Sequence, residues 1–160
     1  MNRKYTTEEF ENCVNLLRNT FQDVGLTADV IVGFPGETEK EFEDTYKFLD
    51  KIKFSKIHVF KYSPREGTRA ATMKEQIPSD IKEERSKKLI EISNKYEKEF
   101  LETQVGKSLN VLFEQQEGEY WKGHTQNYIV VKKKGKNLEN ECINVIISSR
   151  EGLELIGDWL

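Results

Sequence analysis

Asp29, Glu37 and Arg65 are the side chains in the first half of this chain best placed to do chemistry. Asp29 and Glu37 flank Val30-Ile31-Val32-Gly33-Phe34-Pro35-Gly36, where Gly33 and Gly36 let the backbone turn or approach a ligand because they carry no Cβ. Arg65 lies in Ser63-Pro64-Arg65-Glu66-Gly67 and offers a planar donor fork that suits a carboxylate or phosphate. Its plainer use is that of a solvated loop arginine. Gly36-Glu37-Thr38 lacks the lysine of a P-loop, which removes that class of nucleotide binder. The two cysteines, Cys13 and Cys142, are far apart; they form no C-x-x-C, no zinc pattern and no disulfide framework, and they suit a reducing cytoplasm.

The second half carries another chemistry. Lys107, Lys122, His124 and the run Lys132-Lys133-Lys134-Gly135-Lys136 can meet phosphates, and Tyr120, Trp121 and Tyr128 can stack unpaired bases. The same residues have structural uses, as an aromatic in a core or a lysine turn guarding a sheet edge. Acidic residues offset the lysines, so RNA binding by this half is expected to be weak and salt-sensitive. His58, the only other histidine, lies in the first half, which argues against His124 as a metal ligand.

These residues need elements to hold them. Val30 to Val32 read as a strand buried on both faces, as in a parallel sheet. Pro35 fixes φ in the turn, and Thr38 with Glu41 forms a capping box opening a helix with Phe42, Tyr46 and Leu49 on one face. Thr6 and Glu9 form another, ahead of Phe10, Val14, Leu17 and Phe21. Lys56–Tyr62 is the next strand, with His58, Phe60 and Tyr62 on one side. This helix–strand–helix–strand order means βα units and a parallel sheet, whose ligands bind at the carboxyl ends of the strands. A long aperiodic loop, Ser63–Ile77, leads to Pro78-Ser79-Asp80 and a long helix. That helix has an apolar face of Ile81, Leu89, Ile92, Tyr96 and Phe100 and a Glu/Lys face that reads as solvated. Beyond Thr103, period-two alternation and the turns at Gly118, Gly135 and Gly152 give five short strands and a small OB-like β-barrel. The expected class is α/β over residues 1–103, then all-β over 104–160.

At 160 residues the chain has room for a modest domain and a small one. Its net charge of −3 leaves nucleic-acid binding to local patches. No apolar run approaches the about 18 residues of a membrane helix, so no membrane partner is expected, and the N-terminus lacks a secretory h-region.

Two runs carry a family resemblance. Asp29-Val30-Ile31-Val32-Gly33-Phe34-Pro35-Gly36-Glu37-Thr38 and Phe60-Lys61-Tyr62-Ser63-Pro64-Arg65-Glu66-Gly67-Thr68-Arg69-Ala70 resemble the late barrel strands of the radical S-adenosylmethionine (SAM) tRNA methylthiotransferases. Gly123-His124-Thr125-Gln126-Asn127-Tyr128 resembles the signature of the RNA-binding TRAM domain that ends those enzymes. The resemblance implies a C-terminal part of such an enzyme: the last units of a (β/α) radical SAM barrel, a linking helix and a TRAM barrel. It implies SAM contacts from Asp29, Gly33, Gly36, Glu37, Phe60, Tyr62, Ser63 and Arg65. Asp29 would accept hydrogen bonds from the cofactor or pair with a base in the barrel interior. Glu37 would accept likewise or favour the helix N-terminus, and Tyr62 would be core or ligand contact. It implies contacts to a tRNA anticodon stem-loop from Lys107, Trp121, Lys122, His124, Asn127, Tyr128, Lys132 and Lys133. The longer enzyme would hold SAM and two [4Fe–4S] clusters, each on three cysteine thiolates absent here. The chain alone is therefore expected to be inactive and to bind no cofactor, with its exposed barrel edge open to a dimer contact. The tail looks more like the branch acting on threonylcarbamoyladenosine than that acting on isopentenyladenosine. The other class considered is a stand-alone RNA-binding module.

Overall fold

The computed structural model describes residues 3–159. The chain divides into two compact units: residues up to Gln22 with Leu26–Tyr96, and Asp23–Gly25 with Glu97 onward. The sequence reading put the division after Thr103.

The first unit is built as α1 (Thr7–Thr20), β1 (Thr27–Val32), α2 (Glu39–Ile52), β2 (Lys56–Lys61) and most of α3 (Ser79–Glu102), with a short 3₁₀ turn at Arg69–Thr72. Both capping boxes form: Thr6 Oγ1 accepts from Glu9 N–H at 3.1 Å, and Thr38 Oγ1 accepts from Glu41 N–H at 3.2 Å. Each glutamate accepts in return from its threonine's backbone N–H, which holds both carboxyls below the usual carboxylate range. Arg18 of α1 donates to the carbonyls of Ile52 and Lys53, at 2.7 and 2.8 Å, satisfying oxygens at the end of α2 that have no helical partner.

β1 and β2 pair in parallel from Thr27 opposite Lys56 to Val32 opposite Lys61. The core of Val14, Phe42, Leu49, Phe54, Leu89 and Ile92 meets the strands through Ala28, Val30, Val32, Ile57 and Val59. Burial of such side chains stabilises by roughly 1.5–3 kcal/mol each. The intervening residues Asp29, Ile31, His58 and Phe60 are exposed. The expected burial on both strand faces is thus not found: the described core covers one face only, so the other stays bare.

The second unit adds β3 (Ser108–Glu117), β4 (Tyr120–Thr125), β5 (Val130–Lys134), β6 (Cys142–Glu151) and β7 (Glu154–Asp158). They close into a five-stranded barrel in the order β3-β4-β5-β7-β6, with β5 and β7 parallel and the other pairs antiparallel. Val111, Phe113, Val131, Val145, Ile147 and Leu155 fill it, each fully buried. Gly123 permits this closure: a Cβ there would stand 2.1 Å from the Leu112 carbonyl oxygen, beside an irregularity in the β3–β4 register.

Candidate functional site

In the first unit, the two motif loops lie side by side because β1 and β2 run parallel and end together. Tyr62 N–H donates to Val32 O at 2.9 Å, and the Tyr62 and Phe34 rings meet edge-on at 5.3 Å. Tyr62 is half-buried, and its hydroxyl finds no partner among the described residues.

The turn itself is closed by its own chain. Glu37 Oε2 accepts from the N–H of Gly33 at 2.8 Å and of Phe34 at 3.4 Å. Its other oxygen takes Arg85 Nη1 at 2.8 Å, while Arg85 Nη2 reaches Glu39 at 2.9 Å. Gly36 N–H donates to Glu75 O at 2.8 Å. Gly33 has φ of +70°, and Lys82 lies so close that a Cβ would meet its Cγ at 2.1 Å. The close approach that these glycines allow is therefore made by Lys82 and the Glu75 segment, and the Glu37 carboxylate serves the turn instead of standing free as an acceptor. Asp29 lies opposite His58, and Ile31 opposite Phe60, on the bare sheet face. Phe60 is 51% exposed. Ser63 and Arg65 are exposed in the following loop, where Arg65 O accepts from Thr68 Oγ1 at 2.7 Å.

Arg85 is the residue that sequence reasoning missed. The sequence reading does not single it out, yet it is buried. The signal was its spacing: position 85 falls on the same stripe as Ile81, Leu89, Ile92 and Tyr96.

In the second unit, most of the expected phosphate contacts already have carboxylate partners. Lys107 meets Asp23 at 2.6 Å. Lys122 meets Glu117 at 2.8 Å and Glu154 at 3.1 Å, and hydrogen bonds with these two raise its pKa. Lys132 pairs with Glu154 as well. Burial pushes the Glu154 carboxyl up, but hydrogen bonds from Lys132 and Lys122 outweigh it and hold the group below its ordinary value. His124 Nδ1 lies 2.5 Å from Glu114. Asn127 accepts from Thr125 Oγ1 at 2.5 Å and donates to Asp23 O at 3.0 Å, so its side chain secures the barrel. Tyr128 is 86% exposed, has φ of +63°, and stands 5.9 Å from the His124 ring.

Two expectations need correction. Trp121 is buried in the barrel core, where its ring is not open to a base, and its indole N–H finds no acceptor among the described residues. Lys133 is 1% exposed, so it cannot meet a phosphate; its Nζ lies 4.0 Å from the centroid of the Trp159 ring. Burial lowers the Lys133 pKa, partly offset by Asp158.

Cys13 and Cys142 are both exposed and belong to different units. Among the described residues no three His, Cys, Asp or Glu side chains group as a metal site, and no helix is long and apolar enough to cross a membrane.

Comparison with known proteins extends this geometry. The Radical SAM superfamily model matches residues 1–49, which take in α1, β1 and most of α2. A tRNA-2-methylthio-N(6)-dimethylallyladenosine synthase of Wolbachia pipientis subsp. Culex pipiens is 40% identical over 90% of this chain and 31% of its own length. The protein of the same name from Acetivibrio thermocellus is 39% identical over 98% of the chain and 34% of its own length. The threonylcarbamoyladenosine tRNA methylthiotransferase MtaB of Bacillus subtilis is 42% identical over 84% and 31%. The chain spans about a third of the length of the curated relatives it matches. Identity of 39% over 98% of the chain, a span that takes in both units, places the chain in the family of radical SAM tRNA methylthiotransferases.

Proposed function

We propose that the chain is the C-terminal part of a tRNA methylthiotransferase, in which the sheet unit completes a SAM-binding barrel and the β-barrel unit is a TRAM domain for the tRNA anticodon stem-loop. The carrying observation is the meeting of the two motif loops at the ends of paired parallel strands, through Tyr62 N–H to Val32 O and Phe34 against Tyr62.

SAM fits the bare sheet face better than it fits the turn. The N–H groups of Gly33, Phe34 and Gly36 are already bonded, whereas Phe60 offers an open ring and Asp29 an exposed carboxylate on the same face. When bound, SAM supplies the radical chemistry. This chain would stack the adenine on Phe60, accept ribose or amino protons at Asp29, and present Arg65 at the rim. A [4Fe–4S] cluster does not fit the residues present, because two exposed cysteines in separate units cannot give three converging thiolates. The chain alone is inactive on this reading, and anaerobic treatment with iron and sulfide leaves it without a four-iron cluster; a stoichiometric cluster would overturn that.

The named relatives act on two different adenosines at similar identity. We favour N6-threonylcarbamoyladenosine, on the runs Val111-Leu112-Phe113-Glu114 and Gly123-His124-Thr125-Gln126-Asn127-Tyr128. The compartment is the cytoplasm, and a second copy can pair with the open sheet edge. The independent core of the β-barrel favours a second reading, a free-standing RNA-binding module.

Binding of a synthetic anticodon stem-loop, with and without the modified adenosine, tests the tRNA reading across a salt series. Affinity should fall with salt and should favour the loop over a plain duplex. Binding that ignores both salt and loop would remove it.

A further inference from the structure

Two aromatic rings at one end of the β-barrel each have a lysine ammonium against them. Lys133 Nζ lies 4.0 Å from the Trp159 ring centroid, and Lys134 Nζ lies 5.2 Å from that of Tyr120. Topology brings them together: β5 and β7 run parallel, so Lys133, Lys134 and Trp159 follow the same ends, and Tyr120 at the start of β4 sits opposite Lys134. Trp159 is 60% exposed although tryptophan is among the costliest side chains to leave in water. Its supporting lysine is buried, with its charge resting on the indole and with no ion pair to a carboxylate among the described residues. A ring with a fixed cation on one face keeps its other face free and electron-poor, which suits an electron-rich purine. Lys136, in the adjoining turn, is exposed and has no ion pair among the described residues. Lys107, Lys122, Lys132 and Lys134, by contrast, are tied to Asp23, Glu117, Glu154 and Glu119.

We propose that Trp159 is the base-stacking platform of the β-barrel unit, with Lys136 taking the neighbouring phosphate. This rests on the RNA-binding reading above and assigns that binding to the Trp159 end, away from Trp121. The structural alternative is a ring that only closes the end of the barrel.

The test uses the whole 160-residue chain and a synthetic RNA hairpin with an unpaired loop. Trp159 is the exposed one of two tryptophans, so the long-wavelength part of the emission reports it. RNA should quench that component in the wild type, and Trp159→Phe should abolish the signal. Trp159→Leu, which keeps an apolar cover, should weaken binding between about 5-fold and about 150-fold while thermal unfolding shows the barrel intact. If RNA binds while Trp159 emission stays unchanged, the inference is overturned and the RNA-binding reading stands; this holds whether or not the variants fold. If the wild type binds no RNA, both fall.

Discussion

Arg85 and Glu37 are 48 residues apart in sequence, and their side chains meet at 2.8 Å within the first unit. The same guanidinium donates to the Glu37 carbonyl at 3.1 Å and lies over the Phe42 ring. One side chain of α3 thus secures the glycine turn, the start of α2 and part of the core. Its Nε–H has no acceptor among the described residues, so the pair is held by geometry at its fork alone.

Arg85→Met should therefore destabilise the first unit by about 3 kcal/mol, the scale expected when one member of a buried ion pair is removed. Glu37 would keep its bonds from Gly33 and Phe34 but lose its countercharge. Urea unfolding followed by hydrogen exchange of the core amides of α2 and β1 measures this; a loss confined to surface amides would contradict the role given to Arg85.

Gly123→Ala should destabilise the barrel by about 3 kcal/mol, at the upper end for overpacking, because the new methyl would contact backbone. The overlap, 2.1 Å to Leu112 O, cannot be relieved by a rotamer change. Thermal unfolding monitored by Trp121 fluorescence is the readout. Gly118→Ala, where a Cβ meets nothing within 4 Å but φ is +61°, should cost less.

Glu154 links barrel stability to pH. Its carboxyl titrates below the ordinary range in the folded protein, so the folded state binds fewer protons than the unfolded state in that window. Its contribution is complete above the unfolded value and is lost as pH falls through the lower, folded value. The stability difference between wild type and Glu154→Gln should be largest near neutrality and shrink in acid. A difference that grows on acidification would reverse the assigned sign.

The same substitution should strengthen RNA binding. Glu154 holds Lys122 and Lys132 together, and removing its charge frees Lys132, while Lys122 keeps its pair with Glu117. With about 0.7 counterions released per phosphate on single strands, the slope of log affinity against log salt should steepen by up to about 0.7. Fluorescence anisotropy of a labelled hairpin at several salt concentrations measures it.

Much of the architecture was legible because its signals are local. The pairs Thr6 with Glu9 and Thr38 with Glu41 mark helix starts through bonds spanning three residues, and alternation from Leu109 onward follows directly from the pleat. The strand-end loops could be matched because parallel strands align their ends. What escaped notice depends on partners distant in sequence. The type of Lys133 suggests water, yet its aliphatic stem lies in the barrel and its ammonium rests on Trp159. Trp121 has the residue type of a stacking aromatic, and only its place in the barrel core, against the residues of other strands, shows that it faces inward. Val30 to Val32 read as doubly buried because β-branched runs favour that setting; whether a second layer covers Ile31 is decided by chain beyond the strand itself.

The paired strands β1 and β2 form a ribbon with two free margins among the described residues. Ile57 N–H, on the outer side of β2, donates to Ser93 Oγ at 2.9 Å, but the other amides pointing outward from those margins should exchange in deuterated solvent far sooner than those joining the two strands. The same outward groups, beside an uncovered Ile31 and Phe60, make concentrated samples of this polypeptide prone to grow by strand addition. Storage at low concentration, or fusion to the remainder of a longer relative, would quiet that tendency.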